Sequence, residues 1–314
     1  MLRYVAKRLL LSLPVFLAVV TIVFVVVRVI PGDPAVAALG DNASKEAVDA
    51  LRLRMGLDQP LVVQYGRFLG SLLRGDLGRS MITGSSVRDQ VGHALPYTIE
   101  LTLVAILIGS GLGIPVGVYT AIRRNRLADY LGRILSLAGL SVPAFYLGIL
   151  LALLLALRWG WLPAVGGGDP ADGPDRLRHL VLPAVTLGLV MTASVARLTR
   201  SAMLNVLNQD YVRTARAKGL RERAVHLRHA LRSALVPIVS ITGLWAVSLI
   251  GDSVTVEVVF ARPGLGKMMV GAILQRDYTA LQSVMVVYTA FVVGINLLTD
   301  LVYGWVDPRI ARRT

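Results

Sequence analysis

Few residues in this chain have the types and spacing that catalysis requires. The 314 residues include no cysteine, which excludes a disulfide, a thiolate nucleophile and a cysteine metal site. Two of the four histidines, His226 and His229, share a helical face, but they lie among arginines with only Glu222 as a further ligand. No serine nucleophile elbow and no paired carboxylates at a soluble site occur in the sequence. The sequence therefore predicts a protein that is not an enzyme and that holds no metal or other cofactor.

The segment GLGK, residues 264–267, contains part of the phosphate-binding loop of many ATPases. That loop also requires a glycine and a serine or threonine at the positions where this chain has Ala261 and Met268. The segment therefore predicts a turn followed by a short helix over residues 267–274, and it does not predict an ATP site.

One long polar segment, residues 210–237, reads as ordered helix and is suited to mechanical rather than chemical work. Apolar residues recur at helical spacing on both sides of Gly219, namely Leu204, Leu207, Tyr211, Ala215, Ala224, Leu227, Leu231 and Leu235. Because glycine adopts the left-handed conformation that commonly ends a helix, Gly219 predicts a hinge. The segment thus predicts a basic helix–glycine–helix elbow, although a solvated basic loop of a membrane protein would carry similar charges.

The elements that must position this elbow are strongly hydrophobic. Hydrophobic residues make up 55% of the chain and the mean hydropathy is +0.65, which exceeds the needs of an ordinary soluble core. Uncharged runs of bilayer-spanning length, without alternation of period two, favour helices over the strands of a barrel. They predict an all-α integral membrane protein with six transmembrane helices, at residues 9–27, 101–122, 134–157, 180–196, 233–251 and 279–299.

The net charge of +14 is compatible with nucleic-acid binding, so the distribution of the charge has to decide. More than half of the 33 basic residues lie in four segments: the N-terminus, residues 123–133, the elbow and the C-terminal tail. Predicted spans separate these segments in a way that places all four on one side of the membrane. This positive-inside pattern predicts that both termini are cytoplasmic. It also favours membrane lipid over nucleic acid as the partner of the positive charge.

The predicted spans divide the chain into three parts. Residues 1–30 contain the cytoplasmic N-terminus and the first span, and residues 31–97 form an extracytoplasmic segment. That segment carries two predicted amphipathic helices, at residues 44–55 with Ser44 as the cap and at residues 61–73. It either shields the helix bundle or contacts a partner. Residues 98–314 form a five-helix core that includes the elbow at residues 200–232.

Several residues within the spans predict close packing or a role in a pathway. The spacing of Gly113 and Gly117 allows two helix backbones to approach closely. Pro143 removes a backbone hydrogen bond, so it predicts a kink that serves either packing or contact with a substrate. An ionisable residue at membrane depth, such as Asp252, indicates function by default. The candidates for lining a pathway are Ser141, Pro143, Ser248 and Asp252.

Several segments resemble a known transporter family. The elbow resembles a divergent form of the EAA loop of binding-protein-dependent ABC importer permeases, through Ala215, Ala217, Gly219 and Leu231. The glutamate and the proline of that pattern are replaced by Arg213 and Arg232. The sequences TARAKGL and RHALRSALVP are similar to the B-type permease subunit of dipeptide, oligopeptide and nickel importers. Further similar segments lie at residues 30–34, 73–80, 141–148, 260–267 and 307–310, so the resemblance covers nearly the whole chain.

The resemblance implies a type I permease that forms half of the translocation pathway of an ABC importer in a bacterial or archaeal cell membrane. The implied cargo is a dipeptide or oligopeptide delivered by an extracytoplasmic solute-binding protein. The implied partners are a C-type permease and one or two cytoplasmic ATPase subunits, which hydrolyse ATP and grip the elbow. The implied coupling residues are Arg213, Ala215, Arg216, Ala217, Lys218, Gly219, Leu220, Arg221 and Glu222. The alternative is an autonomous secondary transporter or channel, which would need paired intramembrane charges or an inverted repeat with broken helices.

Overall fold

The computed structural model describes residues 2–29, 34–39 and 43–306 of the chain. The regular structure in these ranges is helical. The first helices are α1 Leu2–Val29, α2 Pro34–Leu39, α3 Lys45–Met55, α4 Leu61–Leu73, α5 Val87–Ile122, α6 Leu127–Ser141 and α7 Ala144–Leu151. They are followed by α8 Gly173–Leu207, α9 Asp210–Ala217, α10 Glu222–Ala224, α11 Leu231–Val259, α12 Leu265–Leu274 and α13 Tyr278–Val306. Residues 30–33 of the motif segment 30–34, and the whole segment 307–310, lie outside the described residues.

The all-α membrane fold predicted from the sequence is confirmed. Five helical segments within the described ranges are long and apolar enough to cross a bilayer: Arg8–Val29, Val87–Ile122, Gly173–Leu207, Glu222–Val259 and Tyr278–Val302. A sixth span arises only when α6 and the helix that follows it are counted together. The helices extend beyond the predicted apolar runs; α5, for example, begins at Val87 rather than at residue 101.

The helix predicted over residues 134–157 is broken at Pro143 rather than kinked. The chain bends by 101° between Leu127–Ser141 and Ala144–Arg158, so two helices occupy the predicted span. Proline lacks the N–H that would continue α6, and it disfavours helical geometry in the residue before it. Accordingly Val142 has extended backbone angles, with φ −94° and ψ 121°, and Pro143 precedes α7 as its N-cap. The helix then ends in a π-helical stretch, Ala152–Arg158.

The larger of two compact units contains Thr98–Arg262, together with the described parts of Met1–Leu9 and Gly294–Thr314. Helix α8 is its centre and packs against α6, α7 and α11. The glycine spacing in α5 allows the close contact that the sequence predicted. An added Cβ on Gly113 would lie 2.8 Å from Cβ of Val195, and one on Gly117 would lie 2.5 Å from the Ala196 carbonyl oxygen. Two helices therefore meet backbone to backbone along this line.

The smaller unit contains Leu10–Tyr97 and Pro263–Val293. Helix α3 begins as predicted, since the Ser44 side chain accepts a hydrogen bond from the Ala47 backbone N–H at 3.3 Å. Helix α4 packs on α1 through an aromatic pair, Phe24 and Tyr65, whose ring centroids are 5.1 Å apart. Asp277 accepts hydrogen bonds from the Ser80 hydroxyl at 2.5 Å and from the Met81 N–H at 3.2 Å. This carboxylate therefore ties the loop before α5 to the start of α13.

Candidate functional site

The elbow consists of two helical segments joined by a turn at Gly219. Helix α9 ends after Ala217, and the N–H groups of Lys218 and Gly219 bond to the carbonyls of Thr214 and Arg216, at 3.0 and 2.9 Å. Gly219 then adopts a left-handed conformation with φ +76°. The chain re-enters helix at Glu222 and continues to Val259. The predicted helix–glycine–helix geometry is therefore present.

The elbow is held to the rest of its unit by a small apolar cluster. Val212, Ala215 and Val225 are buried together, with Val206 and Leu207 of α8 packed against them. A second cluster follows, in which Ala230, Ala234 and Ile238 meet residues of α5 and α8. The elbow is thus an ordered part of the core rather than a solvated loop.

The buried face of the elbow differs by one residue from the predicted one. Val212 is buried and Tyr211 is 43% exposed, while Ala230 is buried in place of Leu231. Residues Val225–Ala230 form a π-helical turn. Because each turn of a π-helix contains more residues than an α-helical turn, a strict period of 3.6 residues fails across this stretch. The sequence therefore predicted the right segment and the burial of Ala215, but it misplaced the buried face by one residue at Tyr211 and at Leu231.

The opposite face of the elbow is exposed and predominantly cationic. Of the nine predicted coupling residues only Ala215 is buried; Arg213, Arg216, Ala217, Lys218, Gly219, Leu220, Arg221 and Glu222 are exposed. Across the turn, Arg216 Nε lies 2.9 Å from Glu222 Oε1, and within the following helical segment His226 Nε2 lies 3.0 Å from Glu222 Oε2. Leu220 is an exposed apolar side chain at the tip of the turn. The elbow therefore presents a positively charged surface around the apolar side chain of Leu220. The buried cluster of Val212, Ala215 and Val225 packs beneath this surface.

The four predicted pathway residues lie on three elements of the same unit: Ser141 ends α6, Pro143 caps α7, and the other two lie on α11. Helix α7, which begins after Pro143, packs against α11, which carries Ser248 and Asp252. Ser141 is exposed, and its hydroxyl donates to the Leu137 carbonyl at 3.0 Å. Pro143 and Ser248 are exposed, and Asp252 is half-buried. Their role in a pathway stays a prediction.

Family models for both parts of the chain match this sequence. Residues 113–312 match the model of the binding-protein-dependent transport system inner membrane component. Residues 1–102 match the N-terminal model of the corresponding membrane component. The chain belongs to this family. It is a multi-pass permease subunit of an ABC importer, not an enzyme, and such permeases act with ATPase subunits and another permease.

Curated relatives align with the permease over nearly its whole length. It is 38% identical to the dipeptide transport system permease protein DppB of Alkalihalophilus pseudofirmus, over 99% of both chains. It is 43% identical to a putative peptide transport system permease protein of Brucella suis biovar 1, over 98% of both chains. The glutathione transport system permease protein GsiC of Salmonella paratyphi A is 40% identical, over 99% of both chains.

The fold of the permease is similar to that of a solved ABC transporter. The inward-facing MetNI methionine transporter matches with a TM-score of 0.56 and 19% sequence identity, over 69% of this chain and 96% of the other. This likeness shows the fold, and the family assignment decides for the importer over the autonomous secondary transporter that the sequence had left as the alternative.

Sequence reasoning missed the ion pairs and the buried hydrogen bond that connect distant segments of the permease. The Asp129 carboxylate is fully buried and accepts two hydrogen bonds from Arg200, at 2.5 and 2.9 Å. Glu257, also fully buried, accepts a hydrogen bond from the Thr98 hydroxyl at 2.6 Å. Glu100 forms ion pairs with Arg176 and with the buried Arg262. Each of these contacts joins residues at least 71 positions apart, so no pattern of neighbouring residues predicts them.

Proposed function

We propose that the elbow is the surface on which the ATPase subunits bind this permease and through which they move it. The observation that carries the proposal is the continuous helical segment Glu222–Val259, which starts in the elbow and continues as a membrane span. A helix held by hydrogen bonds along its axis transmits a displacement at one end to the other. ATP-driven closure of the ATPases at the turn then rocks the span between outward-facing and inward-facing states.

The exposed composition of the elbow supports a protein partner. The cationic face is suited to an acidic surface, and Leu220 supplies an exposed apolar side chain that the apolar core of an interface would bury. The packed cluster beneath the face keeps it in place without a partner, which lowers the entropic cost of binding. We assign Arg213, Arg216, Lys218, Leu220 and Arg221 to direct contact, and Ala215 and Gly219 to shaping the turn.

Both termini are assigned to the cytoplasm together with the elbow. The positive-inside distribution supports this orientation. A second argument comes from the ion pair between Arg8 near the start of α1 and Asp300 near the end of α13, in which the two atoms lie 3.1 Å apart. This pair supports an arrangement in which the two helix ends lie at the same level and the two termini share one side of the membrane.

The cargo assigned to this importer is a peptide. The named relatives are permeases for dipeptides, peptides and glutathione, each aligned over almost the entire chain. We further assign an extracytoplasmic solute-binding protein as the donor of the peptide and a C-type permease as the second half of the pathway. Ser141, Pro143, Ser248 and Asp252 are the candidates for contact with the passing peptide.

Site-directed photocrosslinking tests the elbow assignment. The permease has no native cysteine, so a single cysteine carrying a photoreactive probe labels one position of this chain. We expect Leu220→Cys to crosslink to an ATPase subunit in the membrane-embedded complex. The matched control is Leu73→Cys, an apolar position that is 89% exposed and lies in the segment predicted to be outside. Equal ATPase crosslinking at both positions, or none at Leu220→Cys in an ATP-hydrolysing complex, would count against the assignment.

A reconstitution experiment tests the cargo. The purified complex in proteoliposomes is mixed with its solute-binding protein and a radiolabelled dipeptide, and both uptake and ATP hydrolysis are measured. We expect uptake and a stimulation of hydrolysis that requires the solute-binding protein. An amino acid mixture in place of the dipeptide is the control, and equal uptake of both would remove the peptide assignment while leaving the elbow assignment intact.

A further inference from the structure

A cavity of about 300 Å³ opens between α5, α6 and α8 at the ends of these helices that carry the predicted cytoplasmic charges. This volume is near the lower limit of about 300 Å³ for small-molecule pockets. Thr120, Gly132, Ser136 and Ala196 line its interior, and the exposed apolar side chains Val116 and Leu137 flank it. The cavity is therefore an apolar cleft that opens on the surface of the helices.

The remaining wall of the cleft is formed by Arg133, Arg197 and Arg200. Arg200 is bound by both oxygens of the buried Asp129 carboxylate, and Arg133 Nε lies 3.7 Å from the same carboxylate. Arg197 is exposed and forms no ion pair with any residue in the part of the chain that the structure describes. One carboxylate thus opposes three guanidinium groups, and the wall keeps an excess of positive charge.

Two close contacts between helices hold the walls of the cleft in place. An added Cβ on Gly132 would lie 2.5 Å from Cγ2 of Thr120, so α5 and α6 approach closely at the floor of the cavity. The Asp129–Arg200 pair then fixes α6 to α8 beside it. The space above this floor is consequently framed by rigid contacts on two sides, which preorganises it for an occupant.

The geometry points to a binding site for one anionic phospholipid. Its headgroup phosphate contacts Arg197 and Arg133, and its acyl chain lies in the cleft between Val116 and Leu137. Basic pockets between transmembrane helices at the cytoplasmic surface bind anionic headgroups, and apolar side chains at the mouth are suited to a hydrocarbon chain. A zwitterionic lipid fills the same apolar cleft but does not compensate the excess charge. The site therefore selects lipids by their charge.

Native mass spectrometry of the assembled transporter tests this proposal. The complex is exchanged into vesicles with equal amounts of phosphatidylglycerol and phosphatidylcholine, released into detergent, and scored for the lipid that stays bound. We expect retained phosphatidylglycerol to exceed phosphatidylcholine. Because one basic residue near the surface changes binding of an anionic lipid by about fivefold, Arg197→Gln should lower this preference by about that factor. The matched control is Arg124→Gln, an exposed arginine in the nearby turn that does not line the cleft.

A second variant removes the space and leaves the charge in place. Ser136 is buried and lines the cavity, so Ser136→Phe should fill the cleft and lower the retention of both lipids. The proposal is overturned if the two lipids are retained equally by the wild-type complex, or if Arg197→Gln retains as much phosphatidylglycerol as Arg124→Gln. Wild-type retention in a well-assembled Ser136→Phe complex would overturn it as well. ATP hydrolysis measured on the same samples keeps this outcome separate from that of the elbow, since the elbow is unaltered in every variant.

Discussion

Two regions of the larger unit each depend on a glycine, for opposite physical reasons. At the α5–α8 contact, Gly117 is helical, and an added Cβ would lie 2.5 Å from Cβ of Thr199. At the elbow, Gly219 has φ +76°, and no heavy atom lies within 4 Å of an added Cβ. The first glycine is required by packing, and the second by the backbone conformation alone. The contact between α5 and α8 is therefore tightly packed, whereas the surface of the elbow is accessible to a partner.

The strongest test of the packed region is the removal of the buried Asp129 carboxylate, which joins α6 to α8. We expect Asp129→Ala to destabilise the permease by about 3 kcal/mol, because it leaves Arg200 without its partner. This value is at the lower end of the range for broken buried pairs, since the Arg200 side chain keeps 19% exposure and can reach water. The measurement is the midpoint of thermal unfolding of the purified complex, followed by tryptophan fluorescence.

The double variant Asp129→Ala, Arg200→Met provides the control for that prediction. Replacing both partners by apolar groups should recover much of the lost stability, because no buried charge is then left unpaired. If the double variant is as unstable as Asp129→Ala, the ion pair itself holds α6 on α8, and the unpaired charge of Arg200 is not the cause of the instability.

A single methyl group tests the packing of α5 on α8. Gly117→Ala should cost about 1 to 3 kcal/mol, the usual penalty for overpacking, because the methyl meets a backbone oxygen that has no rotamer with which to yield. Gly111 lies on the same helix, and an added Cβ there has no heavy atom within 4 Å. Gly111→Ala should therefore leave the stability unchanged or raise it by up to about 1 kcal/mol. Equal unfolding midpoints for the two variants would contradict the close contact.

The elbow should respond to a side chain at Gly219 in function more than in stability. Gly219→Val forces a β-branched residue into the left-handed region at a cost of about 1 to 2 kcal/mol, which the turn avoids by changing its angle. We expect ATP hydrolysis to persist while uptake falls, in a complex of normal expression. The space around Gly219 is open, so strain of the backbone rather than a steric clash is the cause.

Asparagine provides the matched control at this position. It tolerates the left-handed conformation better than other side chains, so Gly219→Asn should retain most of the uptake that Gly219→Val loses. Normal uptake by Gly219→Val would contradict the claim that the elbow requires glycine for its backbone conformation. Equal loss in both variants would indicate that the partner needs the surface of the glycine itself.

The smallest effect is expected at the exposed ion pair across the turn. Glu222→Gln removes the partner of Arg216, but both side chains are accessible to solvent, so the free energy of unfolding should change by less than about 1 kcal/mol. If the elbow binds an acidic ATPase surface, this variant should tighten that contact and make it more sensitive to salt. Co-purification of the ATPase at two salt concentrations measures the change, with Glu46→Gln on the exposed first turn of α3 as the control.

The elbow illustrates how far the sequence predicts the candidate site. The turn at Gly219 and the exposed basic residues follow from local chemistry, and both were predicted. The buried side was predicted with Tyr211 and Leu231, whereas the structure buries Val212 and Ala230. The π-helical turn Val225–Ala230 shifts the period and accounts for Leu231, whereas Tyr211 lies before that turn. The packing of the elbow on α8 decides which of its side chains are buried.

The sequence by itself determined the features that depend on neighbouring residues and on the solvent. Hydrocarbon requires backbone groups to bond within their own segment, so long apolar runs specify helices. Likewise the cap at Ser44 and the turn at Gly219 depend on a few adjacent residues. Only the tertiary structure decided that Asp129 pairs with Arg200, that α6 and α7 diverge by 101°, and that a charged cleft lies beside them. Such features arise from packing between segments that are distant in the sequence. A periodic pattern of apolar residues does not show which of these segments come into contact.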